Sequence, residues 1–220
     1  MSSSSQSRTP VVEAFLFDFG NVISSFDPVL FVHALSRLTG RPVQQLAQIL
    51  KNSSPIFHRY ETGLMSSEEF AAALRTACGI AISTEDLRTA YTHIFAPIPS
   101  TIELIKSLKP HYRLGLVSNT SPWHFEYSIR RVEVYPLFDA VSLSFEVKAM
   151  KPAAAMYDDV LAKLGVQPEH CIYVDDLMEN VEGARNRGMT ALHYTSYASL
   201  MHDLQPFHIQ GLPATSSHGI

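Results

Sequence analysis

An almost unbroken apolar run opens the patterned part of the chain. It extends from Val11 to Phe17 with one charged residue inside it, and it ends at Asp18. A run that is apolar on both faces predicts a central strand of a parallel sheet. From Asp27 onward the apolar spacing becomes helical, and the pattern breaks at the prolines that end with Pro99. We therefore expect one strand, then a long helical stretch.

Five short helices and no strand are predicted between residues 27 and 95. Asp27-Pro28 is a helix-start signal, because Asp caps the first turn and Pro suits its first position. Ser66 and Glu69 have the spacing of a capping box. Glycines are predicted to end three of the helices, at Gly40, Gly63 and Gly79.

Helix and strand patterns alternate in the second half of the chain. The predicted elements are helix 100–109 with a Ser100–Glu103 capping box, strand 113–117, helix 122–131, strand 140–145, helix 152–164, strand 171–174, helix 180–187 and strand 190–194. Such alternation predicts an α/β fold, a Rossmann-like parallel sheet with helices on both faces.

The domain organisation follows from the length of the helical stretch. A crossover between parallel strands needs only about 10–12 residues. We therefore predict that residues 27–95 form a small helical cap inserted after the first strand. The α/β core then comprises residues 10–26 and 96–204, and residues 1–9 and 205–220 are expected to be flexible tails.

Composition excludes several classes of protein. The 220 residues carry 17 Lys and Arg against 21 Asp and Glu, and no basic stripe appears, so neither nucleic acid nor an anionic membrane is an expected partner. The two cysteines lack zinc-site spacing, and no apolar run is long enough to span a bilayer. The N-terminus lacks a signal-peptide pattern. A reducing cytoplasm is the expected location.

Polar residues follow three of the predicted strands at their carboxyl ends. They are Asp18, Ser118-Asn119 and Asp175-Asp176, and Lys151 at a helix start can join them. Ligands of open α/β sheets bind beyond the carboxyl ends of the strands. Carboxylates can hold a hard cation such as Mg²⁺, a carboxylate can act as nucleophile, and a lysine with small donors can hold phosphoryl oxygens. This set of side chains is typical of an enzyme whose substrate is a phosphate ester.

Four segments resemble, in order, the motifs of the haloacid dehalogenase-like (HAD) hydrolase superfamily. They are Phe15–Val22, Leu116–Asn119, Lys151-Pro152 and Ile172–Asp176 with Asn180. The helical insert is similar to the type-one cap of that superfamily. The Asp-Phe-Gly-Asn form of the first motif and the Tyr60–Gly63 segment are most similar to the bacterial branch that includes alpha-glucose-1-phosphate phosphatases.

The resemblance implies a magnesium-dependent phosphatase of a small phosphorylated metabolite, such as a sugar phosphate. Asp18 would be the nucleophile that forms a phosphoaspartyl intermediate. Ser118 and Asn119 would bind the phosphoryl group, and Lys151 would neutralise both the phosphate and Asp18.

The same resemblance implies a metal site. Asp18 and Asp176 would supply carboxylate ligands to Mg²⁺, and Gly20 would supply its backbone carbonyl. Asp175 would assist from behind these ligands, through a metal-bound water. In the cap, Tyr60 and Glu61 are candidates for substrate contact, with a solvated helix end as the equal alternative.

Gly20 departs from the usual pattern of the superfamily, in which a second Asp at this position serves as general acid and base. Such a group contributes about 10²–10⁴-fold to the rate. His124 or Asp175 could substitute, or nothing could, and an acidic leaving group such as an anomeric hydroxyl would then be favoured. Two alternatives remain: a dehalogenase of the superfamily, and a catalytically weak binding or regulatory member.

Overall fold

The computed structural model describes residues 11–213 and contains a five-stranded parallel sheet. The strands of the described residues, in chain order, are β1 (Ala14–Phe17), β2 (Ser24–Phe26), β3 (Phe95–Pro97), β4 (Arg113–Ser118), β5 (Ala140–Leu143), β6 (Cys171–Asp175) and β7 (Thr190–His193). The sheet order is β5-β4-β1-β6-β7, and every pairing in it is parallel. The strand that ends at Asp18 is therefore central, as its apolar composition predicted.

Eleven α-helices accompany these strands in residues 11–213. They are α1 (Val29–Thr39), α2 (Val43–Asn52), α3 (Ser54–Glu61), α4 (Ser67–Cys78), α5 (Thr84–Thr92), α6 (Pro99–Leu108), α7 (Pro122–Tyr127), α8 (Ser144–Val147), α9 (Ala154–Leu164), α10 (Met178–Arg185) and α11 (Tyr197–Leu204). Short 3₁₀ turns occur at 129–131, 135–137, 168–170 and 205–207. None of the helices described is long and apolar enough to cross a membrane.

Both faces of the sheet are covered by helices. Successive side chains of each strand point to opposite sides, so each strand contributes to two cores. Phe15 and Phe17 of β1 face a core that α6 and α11 complete. Ala14 and Leu16 of the same strand face a second core, which includes buried residues of α9 and α10. The predicted Rossmann-like α/β architecture is confirmed.

The segment from α1 to α5 contains five helices and no strand, and it has its own apolar cluster. Residues such as Leu46, Phe70 and Leu74 are fully buried there. The segment leaves the core through β2 and returns through β3, and these two strands pair antiparallel. This short ribbon was not predicted, because its three-residue strands carry little pattern of their own.

One predicted helix start differs from the structure, and one helix was not predicted. Helix α6 begins at Pro99, so Ser100 does not form the predicted capping box, and the N-cap position Ile98 has no side-chain cap bond. Helix α11 was not predicted, although Ser196 caps it by accepting a hydrogen bond from the Ser199 N–H.

The expected flexible tail does not begin at residue 205. A 3₁₀ turn covers 205–207, Ile209 is buried against the core, and the Gln210 N–H donates to the Tyr112 hydroxyl. This part of the chain is held because it buries apolar surface beside α11. Residues 1–10 and 214–220, which include the other predicted tail, lie outside the described residues.

Candidate active site

A cavity of about 320 Å³ lies beyond the carboxyl ends of the central strands. Its walls include every residue that the sequence assigned to catalysis, phosphate or metal, with one exception. These are Asp18, Gly20, Ser118, Asn119, Lys151 and Asp176. The exception is Asp175, which is fully buried behind the wall. The parallel sheet therefore brings together residues that are up to 158 positions apart, because β1, β4 and β6 are neighbours and end on the same side.

The central feature of the site is a buried chain of charges, Asp18–Lys151–Asp175. The Lys151 Nζ lies 2.6 Å from Asp18 Oδ1 and 2.7 Å from Asp175 Oδ2. All three side chains are almost completely withdrawn from solvent. One ammonium is thus shared by two carboxylates, which leaves the group with a net negative charge.

Asp175 orients the lysine and has no free oxygen for another task. Besides Lys151, its carboxylate accepts hydrogen bonds from the Tyr173 hydroxyl, the Leu177 N–H at 2.9 Å and the Asn180 Nδ2 at 3.0 Å. Four donors satisfy a buried carboxylate and hold its orientation. Asp175 is thus fully buried behind the cavity wall, and its role in support of metal ligands stays a prediction.

The carboxylates of Asp18, Asp175 and Asp176 form a group whose oxygens fit a hard cation. One oxygen from each lies within 4.8 Å of the others. Because the oxygens of Asp175 are occupied, Asp18 and Asp176 are the two that can bind a cation directly. The Asn21 Nδ2 donates to Asp176 Oδ2 at 2.9 Å and thereby orients that carboxylate across the cavity. Carboxylate oxygens are the ligands that Mg²⁺ prefers.

Burial and neighbouring charges shift the pKa values of Asp18, Lys151 and Asp175 in opposite directions. Burial raises the pKa of Asp18 to about 7, with Lys151 opposing the rise and Asp175 adding to it. Burial disfavours the Lys151 ammonium, but the two carboxylates outweigh it and raise the pKa of Lys151. Burial also opposes ionisation of Asp175, but Lys151 and the hydrogen-bond donors hold its pKa below the usual range. A carboxylate at position 18 is consequently costly without a further positive charge.

The loop after β4 supplies the predicted phosphate-binding residues. Ser118 is buried at the strand end and lines the cavity. The side chain of Asn119 is paired with the backbone of Lys151: Oδ1 accepts from the Lys151 N–H at 2.7 Å, and Nδ2 donates to its carbonyl at 3.1 Å. Asn119 therefore positions Lys151, and its contact with phosphate stays a prediction.

The helical segment contributes Glu61 to the cavity wall but not Tyr60. Tyr60 is fully buried, its ring stacks on Phe70, and its hydroxyl lies 2.8 Å from Ser67 Oγ. It is therefore a core residue of the segment, contrary to the suggestion that it contacts substrate. Glu61, its neighbour at the end of α3, faces the cavity together with His124 of α7.

Sequence reasoning missed three residues of the site. Tyr173 lies two positions before Asp175 on β6, so strand periodicity places both on one side, and this signal was available. Asn21 follows Gly20 in the turn, where its φ of +55° suits asparagine. Thr120 lines the cavity, and its N–H donates to Ser144 Oγ at 2.8 Å. The partner of Thr120 is distant in sequence and could not be foreseen.

Comparison with known families decides the assignment. The family described as "Haloacid dehalogenase-like hydrolase" matches residues 48–193, more than half of the chain. This chain is a haloacid dehalogenase-like hydrolase. The family that its motifs predicted is thereby confirmed, and with it the prediction that the chain is a hydrolase.

Two curated relatives of this hydrolase are named phosphatases. The D-ribitol-5-phosphate phosphatase of Bacteroides thetaiotaomicron is 26% identical over 185 residues, which cover 81% of this chain and 89% of the relative. The glyceraldehyde 3-phosphate phosphatase of Methanothermobacter thermautotrophicus is 32% identical over 101 residues, which cover 45% of each chain.

A solved structure shares the fold of this hydrolase. It is a HAD family enzyme from Bacteroides thetaiotaomicron in complex with magnesium and inorganic phosphate. Its TM-score is 0.73 at 22% sequence identity, and the superposition covers 83% of this chain and 93% of that one. The two proteins therefore share the same fold.

Proposed function

We propose that this hydrolase is a magnesium-dependent phosphatase that removes the phosphoryl group of a small phosphorylated metabolite through a phosphoaspartyl intermediate on Asp18. The observation that carries the proposal is the position of Asp18. Its carboxylate follows the central strand, contacts Lys151 at 2.6 Å, and shares the cavity with Asp176. The names of the curated relatives support this chemistry, and their substrates make phosphorylated sugars and polyols the first class to test.

The residues have distinct tasks in this reaction. Asp18 attacks phosphorus, and Lys151 holds its carboxylate while offsetting the charge of the incoming phosphate. Ser118 and the loop after β4 receive the phosphoryl oxygens. Asp18 and Asp176, with the Gly20 carbonyl, would hold Mg²⁺, which orients the phosphate and reduces its repulsion by the carboxylates. Asp175 keeps Lys151 in place.

The helical segment is proposed to be a cap. Residues 27–95 connect to the core through β2 and β3 and place Glu61 over the cavity. A cap in this position excludes water and contacts the part of the substrate that leaves. The cytoplasm is the proposed location, since Cys78 and Cys171 are both buried and unpaired, as expected in a reducing compartment.

A dehalogenase is the alternative that the structure does not favour. Dehalogenation by an Asp nucleophile occurs at carbon and needs no cation, so it gives no reason for a second carboxylate, Asp176, in the cavity beside Asp18. A metal-dependent phosphatase uses such carboxylates to bind its cation. A silent binding protein has no need for a buried Asp–Lys–Asp chain, which costs desolvation energy.

The proposal is tested by assaying 4-nitrophenyl phosphate hydrolysis with Mg²⁺, with EDTA, and with the Asp18→Asn variant. We expect activity only in the wild type with Mg²⁺. Rapid acid quenching and peptide mass analysis should find a phosphoryl group on the peptide that contains Asp18. Full activity in EDTA, or release of halide from 2-chloropropionate, would refute the phosphatase proposal.

A further inference from the structure

The turn after β1 lacks a group that the proposed reaction needs. The alcohol that leaves must gain a proton, and the water that later cleaves the phosphoaspartate must lose one. Gly20 lines the cavity beside Asp18 but has no side chain. Some other residue of the cavity must handle both protons, or the reaction is restricted to leaving groups that need no help.

His124 is a poor source of that proton. Its Nε2 lies 3.0 Å from the Tyr91 carbonyl oxygen, which can only accept, so Nε2 carries the hydrogen. Burial lowers the pKa of His124 to about 4, and the ring stacks on Tyr91 at 4.0 Å. The neutral ring thus has no second proton to donate, and its first is already used.

The charged residues in and behind the cavity wall already have hydrogen-bond partners or a proposed role. Lys151 donates to Asp18 and Asp175, and Asp175 accepts four hydrogen bonds. Asp176 accepts from Asn21 and is a proposed metal ligand. Of the Asp, Glu, His and Lys residues that line the cavity, only Glu61 then remains without a task.

Glu61 has the environment of a proton carrier. Within residues 11–213 its carboxylate has no hydrogen-bond donor or ion-pair partner that the structure shows. Burial alone raises its pKa to about 7, so both protonation states are accessible near neutrality. The titratable groups that share its surroundings are Asp18, Lys151 and Asp176 across the cavity, and His124 and Tyr91 beside it.

The backbone of Glu61 is tied to the phosphate-binding loop. Its carbonyl oxygen lies 2.6 Å from Ser144 Oγ, and the same hydroxyl contacts the carbonyl of Thr120 at 2.9 Å and accepts from its N–H at 2.8 Å. Thr120 is two residues beyond Ser118. The end of α3 is therefore fixed relative to the place where the phosphoryl group is expected.

Glu61 also lies where the departing alcohol should be. A second cavity of about 240 Å³ inside the helical segment adjoins the first, and both are lined by Phe26, Glu61 and His124. The first cavity contains Asp18 and the second does not. A substrate that extends from the phosphate site into the second cavity therefore passes the wall that Phe26, Glu61 and His124 form.

We propose that Glu61 is a catalytic residue that takes the place of the absent carboxylate at position 20, donating a proton to the leaving oxygen and later accepting one from water. The proposal rests on the phosphatase function proposed above. In the first step an Asp18 oxygen bonds to phosphorus, the bond between phosphorus and the leaving oxygen breaks with its electron pair, and that oxygen takes the Glu61 proton. In the second step water attacks phosphorus, gives a proton to the Glu61 carboxylate, and the Asp18–phosphorus bond breaks.

The first test compares Glu61→Gln with the wild type on a series of nitrophenyl, phenyl and alkyl phosphates with Mg²⁺. Glu68→Gln is the matched control, because Glu68 is an exposed carboxylate of the same segment, seven positions away. We expect Glu61→Gln to lose about 10²–10⁴-fold in kcat on alkyl phosphates. Its rates should depend steeply on leaving-group acidity, whereas the wild type and the control should show a shallow dependence.

The second test restores a carboxylate at the usual place. A Cβ at position 20 would be 3.9 Å from Asp18 Oδ2 and 4.0 Å from the Phe26 Cβ, which are ordinary contacts, and the φ of Gly20 is not in the left-handed region. Gly20→Asp is therefore expected to fold. Combined with Glu61→Gln, it should recover much of the lost kcat on alkyl phosphates, which a residue that only bound a substrate hydroxyl would not allow.

The outcomes separate this proposal from the function itself. If the wild type is active and Asp18→Asn is not, yet Glu61→Gln keeps the wild-type kcat and leaving-group dependence, the role of Glu61 is wrong and the phosphatase stands. A change in KM alone for hydroxyl-rich substrates would likewise overturn it. A wild type without Mg²⁺-dependent activity on any ester would overturn both. Circular dichroism and thermal melts should show that each variant is folded.

Discussion

Lys151 is the residue on which the buried charges of the site depend. Its ammonium lies within 2.7 Å of both Asp18 and Asp175, and all three side chains are nearly inaccessible. Removing one partner of a buried ion pair leaves an uncompensated charge in a medium of low polarity. Here one substitution removes the ammonium that two buried carboxyl groups share.

Lys151→Ala should therefore lower the free energy of unfolding by roughly 3–5 kcal/mol, measured by urea denaturation in EDTA at neutral pH. Lys163→Ala is the control, since Lys163 makes a half-exposed ion pair with Asp159, and pairs of that kind contribute about 0–1 kcal/mol. Equal losses in the two variants would mean that the buried carboxylates are neutral rather than charged. Added Mg²⁺ should return part of the stability to Lys151→Ala only.

At the level of elements, the same local motif predicted one helix start correctly and another wrongly. Helix α4 begins where its capping box indicated, and both bonds of the box are present: the Glu69 N–H to Ser66 Oγ at 3.2 Å and the Ser66 N–H to Glu69 Oε2 at 2.8 Å. The same motif failed at Ser100. There the Ile98 N–H is held by the Ile23 carbonyl at 2.9 Å, and the helix starts at Pro99.

This difference between two similar motifs can be measured. Ser66→Ala should cost about 1 kcal/mol of stability, within a range of about 0.5–2 kcal/mol for a lost N-cap. Ser100→Ala should cost much less, because the Ser100 side chain caps nothing. Urea denaturation of both variants against the wild type gives the comparison. A larger loss for Ser100→Ala would show that the sequence motif is used in solution after all.

The segment after the 3₁₀ turn at 205–207 is also held by a contact that local signals did not predict. Ile209 packs on the core beyond the last helix, although a flexible tail was expected there. Ile209→Ala should destabilise the protein by about 1–3 kcal/mol, less than a fully enclosed Ile because the site is near the surface. Leu64→Ala, at a 60% exposed position, should be nearly neutral in the same denaturation series. A neutral Ile209→Ala would restore the prediction of a loose tail.

At the scale of the whole molecule, the sequence predicted which residues meet but not how they are held. Asp18 and Asp176 converge because each lies at the carboxyl end of a strand of one parallel sheet, a rule that needs only strand positions. Lys151 joins them from the loop between α8 and α9. The pairing of Asn119 with the Lys151 backbone spans 32 positions, and the tie between Ser144 and Glu61 spans 83. Such contacts depend on how the helical segment lies on the core, which no periodicity encodes.

The position of Glu61 between segment and core gives the whole molecule a distinct dependence of stability on pH. Burial disfavours the charged carboxylate and raises the pKa of Glu61 from 4.5 to about 7 in the folded protein. Between these values the folded protein keeps a proton that the unfolded chain has released. By linkage, the Glu61 contribution to stability is complete below pH 4.5 and is lost as pH rises through 7.

Glu61→Gln removes this contribution while keeping the shape of the side chain. The Tm of the variant minus that of the wild type, measured in EDTA, should therefore increase between pH 4.5 and 7 and level off above. A rise of the Glu61 pKa from 4.5 to about 7 corresponds to about 3.5 kcal/mol, at about 1.4 kcal/mol for each pKa unit. Because 1 kcal/mol shifts the Tm of a domain of this size by about 2–4 °C, a gain of roughly 7–14 °C is expected. Asp18 titrates in both proteins, so its effect largely cancels in the difference. Glu68→Gln, which alters an exposed carboxylate of the same segment, is measured as the control. A flat profile for Glu61→Gln would mean that water reaches the Glu61 carboxyl freely.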